Sequence, residues 1–160
     1  MKLLFIRHAE AAELDTWPGD DMDRPLTRDG VKTARAMCRL LASRGIAADI
    51  LFTSEALRAR QTAECFRKIA RRTKATCLLN PGCTRDDVIQ LVSDNPRARL
   101  IAVAGHEPDF STIIAALIGA PRAHIKLKKG ACALIDLDDQ LRGELCWLIP
   151  PAPAKKGIHG

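Results

Sequence analysis

Apolar residues come in short runs along this chain, and continuous runs alternate with periodic ones. Residues 2–6 are continuous and stop at the charged pair Arg7-His8, as a buried parallel strand does at its carboxyl end. A helical period follows from Leu26-Thr27, with Thr27 as N-cap and Asp29 in the first turn. Val31, Ala34, Met37, Cys38 and Leu41 share one face of that helix, and Gly45 stops it. Residues 49–53 predict a second strand, and Ala59, Thr62, Ala63, Phe66, Ile69 and Ala70 a second amphipathic helix. A third strand is expected over 75–79, closed by Asn80-Pro81-Gly82. Thr84 caps a shorter helix through Val92, residues 100–104 form a fourth strand, and Pro108 opens a helix ended by Gly119 and Pro121. Residues 131–137 and 144–148 predict two last strands around Asp138-Asp139-Gln140. The polar stretch 10–24, with Trp17-Pro18-Gly19-Asp20 inside it, reads as a loop without helical pattern.

Such alternation predicts an α/β fold, a three-layer α/β/α sandwich on a mostly parallel sheet with an antiparallel edge. Residues 1–149 are expected to form one domain, and 150–160 a Pro- and Gly-rich tail. Ligands of open α/β sheets bind beyond the carboxyl ends of the strands. The residues just after strands one, two and four are Arg7-His8, Thr53 to Arg58, and His106-Glu107. Two imidazoles and two guanidiniums are thereby expected to converge on one sheet edge.

Composition narrows the class. A chain of 160 residues, 47% hydrophobic and 28% charged, suits one globular core. No apolar run reaches the roughly 20 residues of a membrane span, and Arg7-His8 ends the N-terminal run too early for a secretory signal. A cytoplasmic protein away from membranes is expected. The net charge of +6 favours anionic partners. Nucleic acid is not expected among them, because the basic groups Arg67-Lys68-Arg71-Arg72 and Lys126-Lys128-Lys129 carry no interleaved aromatics and Tyr is absent. Both groups read as solvated surface. Cys38, Cys65, Cys77, Cys83, Cys132 and Cys146 form no C-x-x-C pair and read as small, buried, reduced residues.

Arginine presents a planar, permanently charged fork that matches a phosphate dianion. A neutral histidine nitrogen is a competent nucleophile toward phosphorus. A metal site from His8, His106, Glu107 and Asp109 lacks any H-x-H or H-E-x-x-H spacing, so neither metal nor cofactor is expected. His124 and His159 read as structural or surface histidines. Glu10, Glu13, Asp15, Asp20, Asp21 and Asp23 read as a solvated acidic loop.

Four blocks in order carry a resemblance. Leu3-Leu4-Phe5-Ile6-Arg7-His8-Ala9-Glu10 resembles the strand-plus-R-H-G signature of the histidine phosphatase superfamily, which includes the cofactor-dependent phosphoglycerate mutases. Arg24-Pro25-Leu26-Thr27-Arg28-Asp29-Gly30, Thr53 to Glu64, and Ala104-Gly105-His106-Glu107-Pro108 are similar to its later blocks. The short length and the L-R-A-x-Q-T-A-E block resemble the SixA-like phosphohistidine phosphatase branch. The resemblance runs to about Leu148, and implies a phosphoglycerate mutase-like fold for one histidine phosphatase domain.

By that resemblance His8 is the nucleophile that becomes phosphorylated, and Arg7 and Arg58 bind the phosphoryl oxygens. His106 is the second pocket histidine, and Arg24 a further arginine near the pocket. Arg60 is the rival for Arg58, which holds the family's L-R-A position. The chain departs from the pattern at Ala9, where the family usually has Gly, and it lacks the insertion that carries the acid of larger members. Glu107 is the candidate general acid. The function expected is a metal-independent protein phosphohistidine phosphatase, with a phosphoprotein as partner and phosphate or another oxyanion in the pocket. A small-molecule phosphomonoesterase and a non-catalytic phosphoprotein-binding module stay open as alternatives.

Overall fold

A computed structural model describes residues 1–151. Its six strands are β1 (Lys2–Arg7), β2 (Ile50–Thr53), β3 (Thr73–Ala75), β4 (Leu100–Gly105), β5 (Cys132–Leu137) and β6 (Gly143–Ile149). They form one sheet in the order β3-β2-β4-β1-β5-β6. Pairing is parallel from β3 through β2 and β4 to β1, and antiparallel from β1 to β5 and from β5 to β6.

Four helices cover the two faces: α1 (Arg28–Ser43), α2 (Leu57–Cys65), α3 (Arg85–Ser93) and α4 (Asp109–Leu117). Alternate residues of the central strands point to opposite cores, as the pleat requires. Leu4, Ile6, Leu51, Ala102 and Ala104 pack on Ala34, Met37 and Leu41 of α1 and Ala63 of α2. Leu3, Phe5, Phe52, Ile101 and Val103 pack on Val88 and Leu91 of α3 and on Phe110, Ile113 and Ile114 of α4. The result is the expected α/β/α sandwich.

Helix starts follow the capping residues. The Thr27 side chain accepts from the Gly30 N–H, and Thr84 and Asp87 form a reciprocal capping box. Gly45 (φ 73°) and Gly119 (φ 71°) take the left-handed conformation just beyond α1 and α4.

Some boundaries differ from expectation. The third strand lies at Thr73–Ala75, before the expected 75–79, and Cys77–Leu79 is a 3-10 turn. There the Thr76 hydroxyl accepts from the Leu78 N–H and turns the chain inward, so that Leu79 is buried in the core. α2 ends at Cys65 and a 3-10 turn at Arg67–Ile69 continues its apolar face. The stretch 10–24 contains two 3-10 turns, Leu14–Thr16 and Asp21–Asp23. Of the cysteines, Cys38, Cys83 and Cys132 are buried, Cys65 is half-buried, and Cys77 and Cys146 are exposed. Residues 152–160, with His159 and most of the expected tail, lie outside the described residues.

Candidate active site

Parallel register brings the two histidines together. Arg7 of β1 is level with Gly105 of β4, so the residues that follow them, His8 and His106, leave the sheet side by side. Their ring centroids are 5.3 Å apart. The His8 N–H donates to the Gly105 carbonyl at 3.0 Å, continuing the ladder by one bond. Gly105 allows this packing because a Cβ there would come within 2.6 Å of the Phe110 ring.

Both imidazoles are buried, at 7% and 3% exposure. His8 Nδ1 lies 2.8 Å from its neighbour's acceptor, the Ala9 carbonyl oxygen. That bond places the proton on Nδ1 and leaves the Nε2 lone pair free, the form a nucleophile needs. Burial pushes the His8 pKa down to about 3, with His106, Arg58 and Arg7 adding repulsion of a second positive charge. Burial likewise lowers His106 to about 4, with Arg58 as the next contribution. Both rings are therefore neutral at physiological pH.

A cleft of about 400 Å³ opens over these residues, and Arg7, His8, Arg24, Arg58, His106 and Glu107 all line it. The sequence-predicted residues are thus brought to one place. Arg58, in the first turn of α2, is buried, whereas its rival Arg60 is exposed and outside the cleft. Arg7 is half-buried, its Nη1 donating to the Leu127 carbonyl at 2.7 Å. Three buried side-chain nitrogens among the described residues have no hydrogen-bond partner: Arg7 Nε, Arg58 Nε and His106 Nδ1. Buried polar atoms are rarely left unpaired. Here all three belong to the same cleft, a grouping that suits a polyoxygen anion.

Two residues read as surface, or not singled out, turn out to shape this cleft. Asp21 was expected in a solvated acidic loop, but its carboxylate bonds Arg58 Nη2 at 2.9 Å and Arg24 Nε at 2.8 Å. Its carbonyl takes Arg58 Nη1 at 2.6 Å. The acidic loop thus folds over the site because two buried or half-buried cations need a counter-charge. An acidic run facing R-P-L-T held no pattern that would single out one member. Thr62 ties the segment after His8 to α2, accepting from the Ala9 N–H at 3.1 Å and donating to the Arg58 carbonyl at 2.7 Å. Ala9, the departure from the family's usual Gly, is fully buried beside it.

Glu107 lines the cleft, and its Oε1 accepts from the Ser111 N–H of α4 at 2.9 Å. Asp109 turns away to accept from the Gly82 N–H at 2.8 Å. No three His, Cys, Asp or Glu side chains among the described residues are grouped as a metal ion would need. Lys129 reaches the cleft rim, and Lys126 and Lys128 are exposed as expected.

Asp21 competes with any anion for the arginine forks. Asp21→Asn keeps the shape and removes the charge, so inorganic phosphate or tungstate should bind several-fold tighter. Isothermal titration of both forms at one ionic strength measures this, and weaker binding in the variant would show Asp21 to be a support for Arg58 only.

This α/β/α protein gathers two neutral imidazoles and three arginines around one cleft, a set of donors whose chemistry suits an oxyanion. The chain belongs to the histidine phosphatase superfamily (branch 1), whose family model matches residues 3–77. An uncharacterized protein from Picosynechococcus sp. is 31% identical over 142 residues, covering 81% of each chain. The solved structure of a candidate phosphohistidine phosphatase SixA from Nakamurella multipartitia is similar at 26% identity and a TM-score of 0.82, covering 94% of this chain and 96% of that one. A protein histidine phosphatase SixA complexed with tungstate is similar at 24% identity and a TM-score of 0.83, over 94% and 97%. The alpha-ribazole phosphatase from Shigella flexneri shares the fold at 21% identity and a TM-score of 0.74, over 93% and 96%. Fold likeness therefore spans more than one substrate class. No helix among the described residues is long and apolar enough to cross a membrane.

Proposed function

We propose that this protein is a phosphatase that works through a phosphohistidine intermediate on His8, and that its substrate is protein phosphohistidine. The observation that carries the reading is the grouping of three unpartnered buried nitrogens, from Arg7, Arg58 and His106, beside the free Nε2 of a neutral His8. His8 Nε2 attacks phosphorus, and the bond from phosphorus to the substrate's leaving nitrogen breaks. Arg7 and Arg58 balance the charge spread over the transferring oxygens, which is where most of the acceleration in phosphoryl transfer arises. The leaving imidazole takes a proton, and water then attacks the phosphorus of phospho-His8 to release inorganic phosphate. Glu107 is the candidate donor of that proton. A leaving imidazole needs little help, so an acid held to Ser111 N–H is compatible with this substrate. The likeness in fold to a SixA solved with tungstate supports oxyanion binding.

The rim supports a macromolecular substrate. Leu14, at 56% exposure, is one of two exposed large hydrophobic residues among the described ones, and it lines the cleft mouth. Such a residue is placed to meet the surface around a phosphorylated side chain. We infer that a phosphohistidine-bearing protein domain is turned over with higher kcat/KM than sugar or glycerate phosphates, and that this preference weakens as salt rises. Leu14→Ala should cut kcat/KM for the protein about fivefold more than for a small phosphomonoester, the loss of roughly 1 kcal/mol of apolar contact. A panel of phosphohistidine protein against phosphomonoesters tests both. A sugar phosphate as the better substrate, with no effect of salt or Leu14, would replace this reading by the small-molecule phosphomonoesterase.

A further inference from the structure

We propose that Ser54 is a positioning residue that decides which nitrogen of His106 carries the proton, turning this neutral ring into a hydrogen-bond donor when a phosphoryl group arrives. The inference rests on the reading of the cleft as a phosphoryl site and adds to it the device that sets the second histidine. Ser54 is fully buried at the end of β2. Its hydroxyl oxygen lies 2.8 Å from His106 Nε2 and 3.0 Å from Asn80 Oδ1. The Ala56 N–H also points at that oxygen, at 3.2 Å. A serine hydroxyl has a single proton to give. Two acceptors compete for it.

Asn80 has one orientation only. Its Oδ1 accepts from the Glu55 N–H at 2.9 Å, and its Nδ2 donates to Glu55 Oε2 at 2.9 Å. The serine proton therefore has two settings. Turned to Asn80 Oδ1, it leaves the serine oxygen to accept from His106 Nε2–H, and His106 Nδ1 is a bare lone pair. Turned to His106, it requires a bare Nε2, and the ring proton sits on Nδ1. His106 lines the cleft, and Nδ1 is its ring nitrogen left without a partner. A phosphoryl oxygen beside a bare Nδ1 would meet one lone pair with another. Beside Nδ1–H it gains a donor without adding a positive charge to the ring. The second setting is the one that an anion selects, and only a rotating hydroxyl at position 54 offers both at no loss of hydrogen bonds on the ring's far side. The charged groups that act on His106 are Arg58, Asp21, Arg7 and Arg24. Burial, helped by the three arginines and opposed by Asp21, keeps the ring neutral and makes an imidazolium the costly alternative.

Long-range 1H–15N correlation spectra of histidine-labelled protein at neutral pH read this tautomer directly, with inorganic phosphate as the probe. In the wild type, phosphate should move His106 to the neutral form protonated on Nδ1. A doubly protonated His106, or one still protonated on Nε2, with phosphate bound would overturn the proposal. Ser54→Ala should weaken phosphate about tenfold, as a buried acceptor loses its donor, and restore part of the affinity toward acid pH, where an imidazolium can form. Asn80→Ala should raise the Nδ1–H population of the free protein, because the rival acceptor is gone. A folded Ser54→Ala protein with wild-type spectra and affinity would also refute it. Because these measurements involve no turnover, failure of the phosphatase reading would show separately, as phosphate binding with the expected tautomer but no hydrolysis.

Discussion

His8→Ala should abolish turnover, by roughly 10⁴-fold or more, while the protein stays folded. Removing a nucleophile leaves only the binding and electrostatic part of the acceleration. Brief mixing of the wild type with labelled substrate should leave acid-labile, base-stable phosphate on the protein, and the variant should show none. The fold should survive because the His8 side chain hydrogen-bonds only its own neighbour, the Ala9 carbonyl. The acid range gives a second signature. A histidine held neutral in the fold, with its pKa lowered to about 3 from 6.5, costs stability as pH falls below 6.5, because the unfolded chain takes up the proton first. Thermal melts should therefore show the variant gaining on the wild type from pH 7 toward pH 4. Substantial residual turnover, with labelled phosphate still trapped on the variant, would remove His8 from the role of nucleophile.

How much of this was legible in the sequence depends on whether the signal was local. His8 and His106 stood out because each follows an apolar strand directly, and the parallel pairing of β1 with β4 does the rest. The helix starts at Thr27 and Thr84 were legible because a cap acts within one turn. β3 was not, since all three of its residues are exposed and backbone pairing to β2 defines it. The apolar Cys77–Leu79 nearby offered a stronger but misleading pattern, and the Thr76 cap made it a turn.

The missed side chains share one cause. Asp21 meets Arg58 across 37 positions, and Ser54 meets His106 across 52 and Asn80 across 26. Nothing in an acidic run, or in a serine after a strand, specifies a partner so far away. Gly30 shows the same dependence on distant chain: a Cβ there would overlap the Glu10 carbonyl oxygen, which lies at the start of the loop carrying Asp21. His8 is written at a strand end, and its surroundings are written in tertiary contacts.

Arg58→Lys should lower kcat about 100-fold, although the charge is kept. Both terminal nitrogens of Arg58 are occupied by Asp21, through its carbonyl at 2.6 Å and its carboxylate at 2.9 Å. Nε, buried and unpartnered, is left for the anion. A lysine ammonium is a single point on a flexible stem. Beside Asp21 it cannot also stand where Nε stands, and beside the phosphoryl group it leaves the carboxylate unpaired. Losing one preorganised donor to a developing oxyanion costs roughly 10²- to 10³-fold in kcat. Arg60→Lys is the control, because Arg60 is exposed and outside the cleft; its kinetics should stay at the wild-type level. Doubling the variants with Asp21→Asn sharpens the test. If the lysine fails because Asp21 captures it, removing that charge should return part of the lost rate to Arg58→Lys. A crippled Arg60→Lys beside a normal Arg58→Lys would transfer the role to Arg60. Full activity in both would mean that neither arginine meets the transferring oxygens.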